Sequence, residues 1–118
     1  MSAYLPHRRG QQGETLAIEH LEQQGFSVVT RNYRYRRGEI DLIVCRDNTL
    51  VFVEVKLRKD VGYGHPESFV SPSQADRISE AADHYLHETN WEGLIRFDIV
   101  AITLRPQLRI EHFEDAFC

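Results

Sequence analysis

Hydrophobic residues recur at helical spacing in two stretches of the chain. This spacing predicts a first helix over residues 13–24, closed by Gly25, the residue type that most often follows a helix end. It predicts a second helix from Pro72, which suits a first helical position, to about Glu88. The apolar stripes of the two helices are Ala17, Ile18 and Leu21, and then Ile78, Ala81, Ala82, Tyr85 and Leu86.

Shorter apolar runs predict five strands, over residues 26–34, 39–45, 49–57, 96–104 and 107–113. The third and fourth strands flank a helix, which favours a parallel pair with a right-handed crossover. The hairpin before them must be antiparallel. We therefore predict an α/β fold, a mixed β-sheet with flanking helices in the order αβββαβ(β). Residues 58–72 carry turn formers without periodicity, which predicts a loop placed to close over the third strand.

The turn between the second and third strands sets their register. Asp47–Asn48 is the predicted turn centre, because both residue types tolerate the positive φ of tight hairpins. This turn pairs Asp41 with Glu54 and Glu39 with Lys56, whereas a loop of odd length would shift the pairing. Strict alternation then puts one aliphatic set on a single face, namely Ile40, Leu42, Val44, Val51, Val53 and Val55.

Composition narrows the class of protein without identifying it. The 118 residues fit a single domain, 1–118, in which we expect residues 1–12 to be flexible. The net charge of -4 does not indicate a nucleic-acid binder. Two cysteines form no disulfide framework, and no apolar run approaches the length of a membrane span. We therefore expect a cytoplasmic protein with no membrane partner.

Four ionisable side chains, Glu39, Asp41, Glu54 and Lys56, lie together at one end of the predicted hairpin, and this clustering needs a physical reason. Asp41 opposite Glu54 is a destabilising like-charge pair, which a divalent cation such as Mg²⁺ would relieve. Glu14 lies on the sheet-facing stripe of the first helix, and Gln74 lies on the inward edge of the second. The alternative is a salt-bridged patch in which Lys56 neutralises the acids. For Glu14 alone, a helix N-terminal acid is an equal alternative, and for Gln74 a buried hydrogen-bonding role.

These residues resemble the pattern of the PD-(D/E)xK nuclease superfamily, in which a helix acid and a strand acid precede an acid-x-lysine. Glu14, Asp41 and the "EVK" of residues 54–56 match it. The stretches "GEIDLI", "VFVEVKLR" and "RFDIV" resemble more closely the YraN family of small bacterial proteins, related to Holliday-junction resolvases. The chain departs from the superfamily motif at Ile40, where a proline is usual, and from the family at Gln74, where lysine is frequent.

The resemblance implies a restriction-endonuclease-like fold and a catalytic site. It implies Mg²⁺ or Mn²⁺ at Asp41 and Glu54, with the carbonyl of Val55 as a further ligand and Lys56 near the attacking water. Glu14 and Gln74 would complete the site. The candidate nucleic-acid contacts are Arg31, Arg34, Arg36, Arg37, Arg58 and Lys59, although a solvated loop is the usual outcome for such a charge run.

Three remaining groups receive structural interpretations. Glu39 is expected to support the site by pairing with Lys56. Asp98, within a strand, is expected to be the structural partner of an arginine. His84 and His87 share a helix face without a third ligand, which predicts that both are solvated.

Three functions are compatible with this sequence. The first is a metal-dependent endonuclease acting on structured DNA, for which a resolvase activity would require a homodimer. The second is a nucleic-acid-binding module of nuclease fold without turnover, and the third is a structural or interaction domain. The choice between DNA and RNA, and between branched and linear substrates, stays open at this point.

Overall fold

One five-stranded sheet with a helix on each face organises the described chain. The computed structural model describes residues 6–59 and 69–118. In chain order the elements are α1 Pro6–Gln23, β1 Ser27–Tyr35, β2 Gly38–Arg46, β3 Thr49–Arg58, α2 Pro72–Thr89, β4 Leu94–Thr103 and β5 Arg109–Phe113. The strands lie in the order β1-β2-β3-β4-β5. The pair β3 and β4 is parallel, and the other neighbouring pairs are antiparallel, which confirms the predicted mixed α/β sheet.

Helix α1 ends as predicted but begins earlier. The N–H of Phe26 donates to the carbonyl of Leu21 and the N–H of Gly25 to that of Glu22, both at 3.0 Å. Gly25 has a φ of 91°, so this is the helix ending that glycine permits without strain. The helix begins at Pro6 rather than Gly13. The flexibility expected for residues 1–12 stays a prediction.

Helix α2 carries a complete set of end signals. The hydroxyl of Ser71 accepts a hydrogen bond from the N–H of Gln74 at 3.1 Å, and Pro72 follows at the first helical position. At the other end Asn90 adopts the left-handed conformation, with a φ of 53°. Among the described residues, neither helix is long and apolar enough to cross a membrane.

Apolar side chains fill the space on both faces of the sheet. On the α1 face the buried cluster is Ala17, Leu21, Phe26, Leu42, Val44, Val51, Val53, Val100 and Ile102. On the α2 face it is Ile40, Ile43, Leu50, Phe52, Val70, Ile78, Ala81, Ala82, Phe97 and Ile99. The sheet is thus covered on both sides, as expected for a parallel pair at its centre.

The predicted register of the β2–β3 hairpin is confirmed, and it ends just before the acidic residues. Asp47 and Asn48 have φ of 50° and 60°, and the last paired residues of the ladder are Leu42 and Val53. Beyond that pair strict alternation fails. Ile40 packs in the α2-face cluster, so its placement with Leu42 on one face was wrong. The ladder stops there because the Asp41 side chain bonds the β3 backbone.

The arginine-rich stretch is a hairpin rather than a loop. Arg31 and Arg34 belong to β1, and Arg36 and Arg37 form a two-residue turn before Gly38. The predicted loop over residues 58–72 falls largely on residues 60–68, outside the described residues, so its closure over β3 stays a prediction.

Candidate metal centre

A small cavity between β2, β3 and α2 brings the candidate acids together. Its volume is about 140 Å³, and it is lined by Arg37, Gly38, Glu39, Asp41, Glu54, Gln74, Arg77 and Ile78. Gly38 lets the helix approach, because a Cβ at this position would collide with the backbone carbonyl oxygen of Arg77. The close contact of helix and strand sets the distance between Gln74 on α2 and the acids of the sheet.

Asp41 is held by the backbone of the neighbouring strand. Its Oδ2 accepts a hydrogen bond from the N–H of Val55 at 2.8 Å. Burial, and then the nearby charge of Glu54, raise the pKa of Asp41 from 3.8 to about 8, although the Val55 hydrogen bond acts in the opposite direction. Glu14 and Glu39 also contribute to this rise in the pKa of Asp41. The metal-free carboxyl of Asp41 is therefore mainly protonated at neutral pH.

Glu54 is buried and held by two donors. It is 7% exposed, and its Oε2 accepts a hydrogen bond from Nε2 of Gln74 at 3.0 Å. Nζ of Lys56 lies 3.3 Å from the same oxygen. Within the described residues no donor contacts Oε1 of Glu54 or Oδ1 of Asp41. Each carboxylate thus keeps one oxygen available to a cation.

Glu14 lies beside this site rather than in its cavity. It is 9% exposed and comes from α1, on the other face of the sheet. Its Oε1 accepts a hydrogen bond from Nδ2 of Asn32 at 3.2 Å and lies 3.6 Å from Nη2 of Arg31. Asn32 was not predicted, and its φ of 51° shows that β1 bends where it meets α1.

The donor set fits a hard divalent cation. Asp41 and Glu54 offer carboxylate oxygens, the ligands that Mg²⁺ and Mn²⁺ prefer. In the described part of the chain, no group of three or more His, Cys, Asp or Glu side chains forms a ready-made metal site. Mg²⁺ commonly uses one or two carboxylates and retains several waters, so two acids are sufficient for this ion.

The candidate residues from the sequence are partly brought together. Asp41, Glu54 and Gln74 line one cavity, and Lys56 contacts Glu54. The expected Glu39–Lys56 pair is replaced, because Nε of Arg34 lies 3.3 Å from Oε2 of Glu39. The N–H of Val55 donates to Asp41, and the role of its carbonyl as a metal ligand stays a prediction.

Arg77 was missed, although its spacing gave a signal. It lies three residues after Gln74, and residues at that separation share a helix face. Once Gln74 is placed on the inward edge of α2, Arg77 belongs to the same site.

The six basic candidates differ in their contacts. In the hairpin, the pairs are Arg31–Glu14, Arg34–Glu39 and Arg36–Glu80, the last at 3.9 Å, while Arg37 lines the cavity. Arg58 is largely enclosed, with its Nη2 at 3.5 Å from Glu111 and 3.0 Å from Oγ1 of Thr103. Lys59 is exposed. The hairpin therefore presents cations beside the acidic cavity, whereas Arg58 is engaged in the sheet.

Asp98 is confirmed as the structural partner of an arginine. It is fully buried, and Nε and Nη2 of Arg96 donate to its two oxygens at 2.9 Å. His112 and the N–H of Asp115 complete its contacts at 2.7 and 3.0 Å. Burial raises the pKa of Asp98, but the bonds from His112, Arg96 and Asp115 outweigh it, so the pKa lies below its usual value.

The two helix histidines have different environments. His87 is exposed beside Asp83, as predicted. His84 is half-buried, so the prediction that it is solvated was wrong. Its ring stacks on Tyr35 with centroids 3.9 Å apart, and its Nδ1 lies 2.6 Å from the hydroxyl of Tyr33. These contacts fasten α2 to the β1–β2 hairpin.

The mixed sheet, the two covering helices and the acidic cavity define a small α/β protein with a candidate cation site. The chain belongs to the uncharacterised protein family UPF0102, whose model matches residues 13–102. It is 47% identical to a UPF0102 protein of Cytophaga hutchinsonii, over 81% of this chain and 85% of the relative. It is 40% identical to one of Christiangramia forsetii over 92% of both chains, and 45% identical to one of Rhodococcus opacus over 92% and 94%. Membership confirms the resemblance to the YraN-like proteins. The resemblance to the nuclease superfamily stays a prediction.

Proposed function

We propose that this protein is a metal-dependent nuclease that hydrolyses phosphodiester bonds in structured DNA. The observation that carries the proposal is the pairing of Asp41 and Glu54 in one small cavity. Each has one oxygen that takes part in no hydrogen bond or ion pair with a described residue. Two desolvated carboxyl groups placed side by side cannot readily both carry charge; in the metal-free protein Asp41 keeps a proton, and a bound cation would take the place of that proton.

Asp41 and Glu54 would hold Mg²⁺ or Mn²⁺, with the carbonyl of Val55 proposed as a further ligand. When bound, such an ion acidifies a coordinated water and neutralises charge on the phosphate. The proton that Asp41 carries in the metal-free protein would leave when the cation binds, because only the carboxylate is a ligand.

The surrounding side chains would orient the two acids. The N–H of Val55 fixes Asp41, and Gln74 and Lys56 both hold Oε2 of Glu54. The ammonium of Lys56 would also lie beside the phosphate and favour the negative charge that develops in the transition state. Arginines of the β1–β2 hairpin would contact the DNA backbone and place it over the cavity.

A second candidate is a nucleic-acid-binding module of the same fold without turnover. The Lys56–Glu54 ion pair favours it, because the ammonium neutralises Glu54 without any metal. A protein that binds DNA through the β1–β2 hairpin would not need a metal ion bound at Asp41 and Glu54.

Cleavage of a substrate panel separates the two candidates. Labelled flap, junction, duplex and single-stranded DNA, with matching RNA, would be incubated with the protein and Mn²⁺. The proposal predicts cleavage that requires the metal and disappears in the Asp41→Asn, Glu54→Gln double variant. Binding to the same substrates without cleavage by the wild type would instead favour the second candidate.

A further inference from the structure

Two arginines from different elements line the acidic cavity. Arg37 is the second residue of the β1–β2 turn, and Arg77 lies on α2. Both are exposed. Among the described side chains of residues 11–59 and 69–118, neither has an ion-pair or hydrogen-bond partner. The hairpin's other arginines, by contrast, are all paired with acids. Arg37 and Arg77 thus retain their full donor capacity toward the cavity.

The acids of the cavity are already engaged by other groups. Glu39 is paired with Arg34, Asp41 accepts from the Val55 backbone, and Glu54 is held by Gln74 and Lys56. Neither guanidinium group forms an ion pair or hydrogen bond with these three acids, so both stay available to a ligand. Five N–H donors on each group, arranged as a planar fork, match the oxygens of a phosphate.

The spacing of the two arginines is fixed by the fold. Gly38, next to Arg37, lies against the backbone carbonyl of Arg77 and leaves no room for a Cβ. On the same hairpin, Tyr35 stacks on His84 of α2 at 3.9 Å. The turn and the helix are thus held together by two contacts near the arginines. A ligand that bridges the two arginines would therefore not have to bring two separate segments of backbone together, which lowers the entropy lost on binding.

We propose that Arg37 and Arg77 form a clamp for a single phosphate group of a nucleic-acid backbone at the mouth of the cavity. This inference rests on the proposed function and extends it, since it assigns Arg77 as a substrate-binding residue. A volume of about 140 Å³ accommodates one phosphate with a few waters. Contacts of this kind read charge and not base identity, so the clamp recognises any sequence.

The test measures binding with two probes, neither of which depends on cleavage. The first probe is a labelled DNA flap in Ca²⁺ over a range of salt concentrations. The second is millimolar inorganic phosphate, followed by the rise in melting temperature. The variants are Arg37→Ala, Arg77→Ala, both together, and Arg77→Lys. The matched control is Arg109→Ala, which removes the same charge from β5 at the opposite edge of the sheet.

Each single substitution in the clamp should weaken DNA binding by about 10- to 100-fold, the usual loss for a charge-assisted hydrogen bond. Each single substitution should also abolish the rise in melting temperature caused by inorganic phosphate. If both arginines hold one phosphate, loss of either displaces it, so the double variant should lose less than the product of the single losses. Arg77→Lys should recover only part of the binding, because an ammonium is a point charge and not a fork.

Two results would overturn the clamp. One is Arg77→Ala behaving like the Arg109→Ala control with both probes. The other is a double variant whose loss equals the product of the single losses, which would place the arginines on separate phosphates. The proposed function fails separately. Suppose that the wild type cuts no substrate, but that phosphate raises its melting temperature and loss of either arginine abolishes this rise. The clamp would then stand and the nuclease proposal would fail.

Discussion

Replacing Asp41 with asparagine should change how the stability of the metal-free protein depends on pH. The pKa of Asp41 in the folded protein is raised from 3.8 to about 8. Between those values the folded protein keeps a proton that the unfolded chain has lost. The free energy of unfolding therefore falls as pH rises through this window, by about 1.4 kcal/mol per pH unit. Asparagine carries no such proton and can still accept the Val55 hydrogen bond.

The size of the effect follows from this slope. From about pH 5 to about pH 7, the wild type should lose roughly 3 kcal/mol relative to Asp41→Asn. For 118 residues, 1 kcal/mol corresponds to about 4 °C in melting temperature, so the two proteins should diverge by about 10 °C. Asp47→Asn makes the same chemical change in an exposed turn and should follow the wild type.

The assay is thermal unfolding of the three proteins in EDTA and then in millimolar Mg²⁺. Metal should remove most of the divergence, since the cation replaces the proton on Asp41 and stabilises the folded wild type. Asp41→Asn should respond weakly to Mg²⁺. If the stability of the wild type and of Asp41→Asn changed in parallel with pH in EDTA, burial and Glu54 would not raise the pKa of Asp41. That result would refute the predicted pH dependence.

Further substitutions test the packing and the chemistry of the site. Gly38→Ala should destabilise the fold by about 1–3 kcal/mol through its clash with Arg77. Gly13→Ala in α1 should stabilise the fold by about 0.5–1 kcal/mol, because the added Cβ would meet Leu57 and Val55 of β3 at ordinary contact distances; chemical denaturation measures both changes. Lys56→Ala should leave DNA binding in Ca²⁺ intact and slow single-turnover cleavage by about 10²–10³, and a wild-type rate would exclude a catalytic role. Asp98→Asn should reduce the free energy of unfolding by roughly 1.5–3 kcal/mol, because Arg96, His112 and the N–H of Asp115 lose the charged carboxylate that they contact; a loss below about 1 kcal/mol in urea unfolding would contradict this.

Local chemistry explains why much of the fold could be predicted from the sequence. Asp47–Asn48 dictates a tight turn, and the turn dictates the register of the strands beside it. Gly25 and Pro72 mark helix boundaries through their own backbone preferences. Alternation correctly assigned residues to the two faces of the sheet along the paired part of β2 and β3, but it failed at Ile40. The pairing ends there because the Asp41 side chain bonds the β3 backbone, and alternation does not encode that contact.

The rest of the site depends on contacts between distant segments. Arg77 enters the cavity because α2 approaches Gly38 closely, and no pattern within α2 encodes that distance. His84 is covered by Tyr33 and Tyr35, which lie far away along the chain. The spacing of the acids could be read from the sequence, whereas the positions of their neighbours are set by tertiary packing.

Crystals of the wild type soaked in Mn²⁺ test the proposed centre most directly. The anomalous signal of the ion locates it without any assumption about activity. We predict a peak within coordination distance of both Asp41 and Glu54, and its disappearance in the Asp41→Asn, Glu54→Gln double variant. A well-ordered wild-type cavity without a peak at millimolar Mn²⁺ would contradict the assignment of these two carboxylates as a metal site.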